Sequence, residues 1–356
     1  MARDGRTTLR QLAQDVGVSR ATVSNAYNHP EQLSAALRER ILGRAAELGF
    51  AGPDPMARSL RRGAVGAVGV VVDQSLSYAF SDPAAVLMLD GLAGEIQPAG
   101  LGLLIHTAAG DRAELAHIRD AAVDAWVLIS LPDGAPAIEA ARARRRPVVV
   151  LDQPLLDDVP LIAVDDLGGA AMLTRHLTRL GHRRIAVLSM PMGLDRREGL
   201  VEIARQATTG YRNIRQRLAG VSMAASEAGI GWSTVPVMEC KSNDPDAGAG
   251  GALALLRLQP RPTAIIALSD QLALGALRAA QDTDLHVPDQ LSVVGFDDSP
   301  LAAQGQPPLT TVHQPLRERG RAAGQVVRAL LASETPVALE PFPVTLIVRE
   351  STAPPY

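Results

Sequence analysis

Thr8-Leu9-Arg10-Gln11-Leu12-Ala13 and, a few residues on, Gly17-Val18-Ser19-Arg20-Ala21-Thr22-Val23-Ser24-Asn25-Ala26-Tyr27-Asn28 form the stretch that decides how this 356-residue chain is read. Thr8 with Gln11 three residues later is a capping-box signal, and Leu9, Leu12, Ala13 and Val16 then share one helical face. Gly17-Val18 breaks that helix. Ser19 caps a second one, running from Arg20 to about Tyr27 with Val23 and Ala26 inward, and Asn28-His29-Pro30 stops it. Ser34 caps a third, with Leu37, Ile41, Ala45 and Leu48 inward and Gly49 as its stop. Helix, tight turn, helix is the layout that sets a second helix into the DNA major groove. The exposed residues near its start are Ser19, Arg20, Ala21 and Asn25. Arg20 offers a fork of donors suited to guanine, and Asn25 can pair with adenine or phosphate. Spacing alone also fits a helical bundle whose polar residues are merely solvated.

The residues themselves choose between these. They resemble the DNA-binding head of the LacI/GalR family of bacterial transcription regulators, and Gly49-Phe50 and Ala57-Arg58-Ser59-Leu60-Arg61 extend the match into the linker. Position by position, the resemblance implies that Arg20 and Ala21 read bases with Asn25 close by, while Thr8, Ser19, Thr22, Ser24 and Asn28 hold phosphates. Phosphate contacts fix register and groove contacts choose sequence. Ala21 presents only a methyl group, so specificity leans on Arg20 and Asn25.

Residues 51–63, AGPDPMARSLRRG, carry two prolines, a short helical signal from Pro55 and a basic end. So short a helix is marginal alone. The resemblance implies a hinge helix that orders on DNA, with Leu60 as the side chain wedged into the minor groove and Arg58, Arg61 and Arg62 near phosphates. Asp54 stands where the family commonly has Asn, and Ala51-Gly52 lengthens the approach by one residue.

From Gly66 onward, β-type runs alternate with amphipathic helical stretches such as Asp133–Arg144, Leu167–Leu180 and Gln271–Ala280. The runs are Ala67–Val72, Leu101–Ile105, Ala125–Ile129, Val148–Leu151, Leu161–Val164, Ile185–Leu188, Val235–Met238, Ala264–Leu268 and Leu291–Phe296. This alternation predicts parallel sheets flanked by helices, and the length predicts two α/β lobes. Asp73, Asp152, Asp165, Asp270 and Asp297-Asp298 close several strands. Ligands in open α/β sheets bind beyond those ends, although any one such Asp can instead be a helix cap.

The body resembles the same family's effector domain through Leu180-Gly181-His182-Arg183-Arg184-Ile185-Ala186, Arg217-Leu218-Ala219-Gly220, Val293-Val294-Gly295-Phe296-Asp297-Asp298, Leu309-Thr310-Thr311-Val312 and Val348-Arg349-Glu350-Ser351. The implied architecture is an all-α helix-turn-helix head before an effector domain of two lobes like a periplasmic binding protein. Its divisions are a head at 1–50, a hinge at 51–63 and an effector and dimerisation domain at 64–356, with lobes 64–175 plus 300–328 and 176–299 plus 329–356. Arg217, Asp270 and Asp297 match positions that hold the effector; Asp165, Gln314, Tyr78 and Phe80 complete the expected cleft. Ser75–Pro83 replaces a short loop of the family, and Pro191–Asn213 inserts some twenty residues that either shape ligand choice or form a solvated excursion.

The net charge of −3 hides a division. Residues 1–63 hold ten arginines and six carboxylates, a balance of +4, and the remaining 25 basic and 32 acidic residues leave −7. A basic head on an acidic body suits a DNA-binding arm. No apolar run is long enough to span a membrane, no secretory signal is read, and a single Cys240 excludes disulfide frameworks and thiolate clusters. GxSxG, HExxH and CxxC patterns are absent, and Gly248-Ala249-Gly250-Gly251 lacks the ending of a phosphate loop. His182 and Trp126 read as structural. The expectation is a cytoplasmic repressor with no catalytic residues, cofactor or metal, binding pseudo-palindromic double-stranded operator DNA as a homodimer. A small molecule, a sugar by this reading, controls it. The alternatives are a regulator answering to a phosphorylated metabolite or nucleobase, and a sugar-binding protein with no DNA role.

Overall fold

The computed structural model describes residues 7–52, 64–108, 112–336 and 340–356. The chain divides into two compact units after Gly66. The predicted hinge residues Arg58, Leu60, Arg61 and Arg62 lie outside the described residues.

In the first unit, α1 (Leu9–Val16), α2 (Arg20–Asn28) and α3 (Ala35–Glu47) pack around Leu12, Val23, Ala26 and Ile41, all at 0% exposure. The predicted capping box is present: the Thr8 side chain accepts from the Gln11 amide and the Gln11 side chain accepts from Thr8 N. Gly17 ends α1 at φ 75°, a left-handed conformation that disfavours any side chain. Ser19 and Ser34 cap α2 and α3 through the amides of Thr22 and Leu37.

The second unit contains two sheets. In the first, β1 (Ala67–Val72), β2 (Gly102–Thr107), β3 (Ala125–Ile129), β4 (Val148–Leu151) and β5 (Leu161–Ile162) run parallel in the order β2-β1-β3-β4-β5. Val70 pairs with Ile105 on one side and Val127 on the other, and Trp126 fills the space over Gly69, where an added Cβ would lie 2.3 Å from the indole. The second sheet joins β6 (Ile185–Ser189), β7 (Gly199–Leu200), β8 (Val237–Glu239), β9 (Ala264–Ala267), β10 (Ser292–Asp297), β11 (Thr310–His313) and β12 (Thr345–Ile347). Its order is β12-β11-β10-β9-β6-β8-β7, parallel except at the two outer pairs. Buried apolar clusters cover both faces of each sheet, as near-continuous apolar strands require.

Helices α4 (Leu76–Ser81), α5 (Pro83–Ile96), α6 (Arg112–Asp120) and α7 (Pro136–Arg142) belong to the first sheet. The second sheet carries α8 (Asp166–Arg179), α9 (Ile203–Ala207), α10 (Arg212–Glu227), α11 (Pro245–Leu256) and α12 (Asp270–Asp282). The last helix, α13 (Leu316–Leu331), returns to the first sheet and packs on α5. The lobe limits therefore differ from the sequence expectation. Residues 166–175 join the second lobe because Ala170, Leu173 and Leu177 find their cover against Ile185, Val187, Ile214 and Leu218. Residues 300–313 do so because Ala302, Leu309 and Val312 are buried in its two clusters. The crossings include 163–165 and 314–315, and Phe342 exchanges backbone hydrogen bonds with Ala163 and Asp165 beside them. Gly248 and Gly275 bring α11 and α12 into backbone contact, so the glycine run serves helix packing. His182 is held by Thr263, Ser292 and the Ala353 carbonyl. No described helix is long and apolar enough to cross a membrane.

Candidate functional site

Two surfaces carry the chemistry. On the head, Ser19, Arg20 and Ala21 stand exposed at the start of α2, with Thr22, Ser24, Asn25 and Asn28 half-buried along it. Local bonds order them. The Ser19 and Thr22 hydroxyls lie 2.8 Å apart, and Asn28 Nδ2 donates to the Ser24 carbonyl and hydroxyl at 2.9 and 3.1 Å. Asn25 Nδ2 donates to Gln32 Oε1 at 2.9 Å, which orients an amide the sequence reading left free. Thr8 remains at the tip of α1 as its cap. This face offers hydroxyls, amides and the exposed guanidinium of Arg20, a donor set matched to phosphates and groove edges.

In the second unit a cavity of about 120 Å³ opens beyond the carboxyl ends of strands from both sheets. At about 10–15 Å³ for each water position it holds on the order of ten waters, the size of one sugar ring. Its wall brings together Arg217, Asp297, Gln314 and Tyr78 from the predicted set. Asp297, at the end of β10, is buried and has φ 133°, a strained conformation for a side-chain-bearing residue. Its Oδ1 accepts from Gln314 Nε2 at 2.5 Å, and Arg217 Nη1 lies 4.0 Å away. Burial, then repulsion from Asp270, lifts its pKa well above the usual carboxylate range. Arg217 rides over the Phe296 ring at 3.7 Å and donates to Asp166 Oδ1 at 2.8 Å and to the Leu268 carbonyl.

Three predicted residues lie elsewhere. Asp165 is the N-cap of α8, accepting from the Gly168 amide at 2.8 Å; the adjacent Asp166 is the carboxylate turned inward to Arg217. Phe80 is 63% exposed, because two residues along α4 from Tyr78 place it on another face. Asp270 is buried behind the wall, where it accepts from Thr311 Oγ1 at 2.6 Å and the Ser299 amide at 2.7 Å, and burial pushes its pKa up to about 6. It braces strands and does not line the cavity.

The wall also contains residues absent from the expected set. Arg319, at 1% exposure, donates to Gln314 Oε1 at 2.7 Å and Asp152 Oδ1 at 2.8 Å. Burial opposes ionisation of Asp152, yet Arg319 and Arg217 outweigh it and hold its pKa below the usual value. Asp152 also accepts from Ser130 and Asn213, the latter from the opposite lobe. Tyr78 donates to Asp82 at 2.9 Å and accepts from Asn243 of the second lobe at 2.7 Å. Tyr211 donates to Asp73 at 3.0 Å. Tyr211 and Asn213 come from the inserted stretch 191–213, and Gly210 within it accepts from the Asp133 amide of the first lobe at 2.8 Å. The insertion is thus a wall of the cleft. Arg319 did leave a signal: it shares a helical stripe with Ala322, Ala323, Val326 and Val327, where a charge needs a buried partner.

Residues 8–52 match the family of bacterial regulatory proteins known as the lacI family, and residues 174–352 match the periplasmic binding protein-like domain. The chain is 39% identical over 354 residues to the HTH-type transcriptional regulator Rv3575c of Mycobacterium tuberculosis, covering 98% of both chains. Among solved structures it is similar to a lac repressor dimer bound to operator and the anti-inducer ONPF, with 26% identity, a TM-score of 0.76 and coverage of 98% of this chain and 99% of that one. It is also similar to a complex of the transcriptional regulator CelR with cellobiose, with 27% identity, a TM-score of 0.70 and coverage of 97% and 100%.

Proposed function

The chain belongs to the LacI family of DNA-binding transcriptional regulators, which are not enzymes, and on that premise we propose that it is a repressor whose hold on a pseudo-palindromic operator is set by a polyhydroxylated small molecule. Regulators of this family bind operator DNA and small-molecule effectors and form dimers. In this reading Arg20, Ala21 and Asn25 meet base edges, and Thr8, Ser19, Thr22, Ser24, Asn28 and Arg58 meet phosphates. Leu60 enters the minor groove. Two heads related by a dimer axis call for two inverted half-sites.

The observation that carries the ligand reading is the cavity itself. It lies beside the lobe crossings, sets carboxylates, amides and phenols among apolar side chains such as Met88, Ile129 and Leu316, and holds two guanidiniums that are already paired with Asp152 and Asp166. Carboxylate acceptors in a small buried space suit the hydroxyls of a sugar or polyol. A phosphorylated metabolite would meet repulsion there, since no lining guanidinium is left over for it. Ligand bound between the lobes biases their angle and so the spacing of the two linkers, with a coupling of about 1–3 kcal/mol typical of such systems.

The test selects duplexes from a random library with the full-length protein, then repeats the binding with sugars and polyols added. Inverted half-sites, released or tightened by a polyhydroxylated compound, are expected. A sequence-indifferent selection would refute the operator reading. Operator binding that only phosphorylated compounds alter would refute the ligand reading.

A further inference from the structure

Charge within the cavity narrows the ligand further. The wall carries four carboxylates, Asp73, Asp82, Asp152 and Asp297, against two guanidiniums, Arg217 and Arg319. Both guanidiniums are engaged: Arg319 donates to Asp152 at 2.8 Å, and Arg217 to Asp166, behind the wall, at 2.8 Å. The remainder is negative. Among the described residues the one ion pair of Asp297 is with Arg217 Nη1, at 4.0 Å, and that of Asp73 is with Arg196, a partly exposed side chain, at 3.9 Å. Asp82 is 6% exposed, accepts from the Tyr78 hydroxyl and the Ala84 amide, and forms no ion pair among the described residues. The amides at the start of α5 offset part of its charge, as for any helix cap, but a buried carboxylate without a cation remains costly.

Asp82 belongs to the first lobe and Asp297 to the second, and the two repel across the cavity. Burial raises the pKa of both, and a cation placed between them would work against that shift. An ammonium group is such a cation. It has three donors on one small centre, enough to reach two carboxylates at once, and each such contact is charge-assisted.

We propose that the ligand is a polyhydroxylated amine, an amino sugar or aminocyclitol, whose ammonium sits between Asp82 and Asp297 while its hydroxyls take the neighbouring amides and carboxylates. The proposal rests on the polyhydroxy reading above and adds a charge to it. One cation then ties the lobes together, which makes closure depend on the amine.

The test uses the full-length protein in thermal-shift and calorimetric titrations. Glucosamine, galactosamine, mannosamine and an aminocyclitol are each compared with the parent hexose or cyclitol and, for the sugars, with the N-acetyl form. At neutral pH an amine should bind about tenfold or more tightly than its parent, the scale of one charge-assisted contact, and acetylation should remove the gain. Asp82→Asn keeps a good helix cap and removes the charge, so it should bring amine and parent to within about threefold of each other. A parent polyol that binds as tightly as its amine overturns the proposal and leaves the polyol reading standing. An amine preference untouched by Asp82→Asn removes the ammonium from this position. If no compound of either kind stabilises a protein that still binds operator DNA, both readings fall.

Discussion

In the head, Arg20 and Ala21 face solvent, and Ser19, Thr22, Ser24 and Asn28 bond to groups within four residues along one short helix. In the cleft, Arg217, Asp297, Gln314 and Arg319 are at most 6% exposed and find their partners up to 167 residues away. The head keeps Arg20 and Ala21 exposed for a partner that is itself densely charged, and asks of Thr8, Ser19, Asn25 and Asn28 only short local caps and bonds. Cleft side chains must be solvated by one another before any ligand arrives, and each is therefore also a structural element. The difference teaches where a substitution can be confined to function. It can in the head and hardly in the cleft.

The strongest way to break that comparison is Arg217→Met. It leaves Asp166 and Asp297 buried without their cation and should cost about 3–5 kcal/mol of body stability, measured by urea unfolding. A stable variant would mean that Arg217 serves ligand alone. Leu12→Ala, at a fully buried position of the small head core, should lose about 2–5 kcal/mol. Operator binding should then vanish while ligand still raises the melting temperature of the body; loss of both would show that the units depend on each other.

Arg20→Ala should leave the head folded and relax preference at one base pair by about 1–3 kcal/mol, read from a panel of operator variants. A uniform loss across all sequences would make Arg20 a phosphate contact. Ser19→Ala removes the cap of α2 and should cost about 1 kcal/mol of head stability, a smaller effect visible in thermal unfolding. The finest test is a slope. Burial pushes the Asp270 carboxyl up to about 6 in the folded state, above the usual carboxylate range of the unfolded chain. The folded state therefore binds more protons in that window, and the stability this contributes at low pH is lost as pH rises from about 4 to about 6. Across that range Asp270→Asn should gain in melting temperature relative to the parent, and a difference constant with pH would show that the Asp270 carboxyl does not titrate there.

The head was legible almost to the residue because its signals are local: Thr8 with Gln11, Gly17, Ser19 and Ser34 sit where caps and stops are needed. The strands of the body were legible as apolar runs, and Arg217 and Asp297 as positions. The short strands β7, β11 and β12 were not among those runs, since two to four residues carry too little period. Asp165 and Asp166 are adjacent carboxylates after the same strand, and nothing in their order says which one caps a helix and which one turns inward to Arg217.

By itself the sequence determined the three helices of the head and most strands of the body, that a basic head precedes an acidic body, and which residues stand at the opening of α2. Those are matters of spacing, capping and composition, settled within a few turns of chain. Only the tertiary structure decided that α8 and β11 belong to the second lobe, that Arg319 and Tyr211 reach the cleft, and that Asp82 is left there without a cation among the described residues. The physical reason is that burial and pairing of charge depend on what lies across a space, and the chain brings residues 82, 211, 297 and 319 to one space only when both sheets are packed.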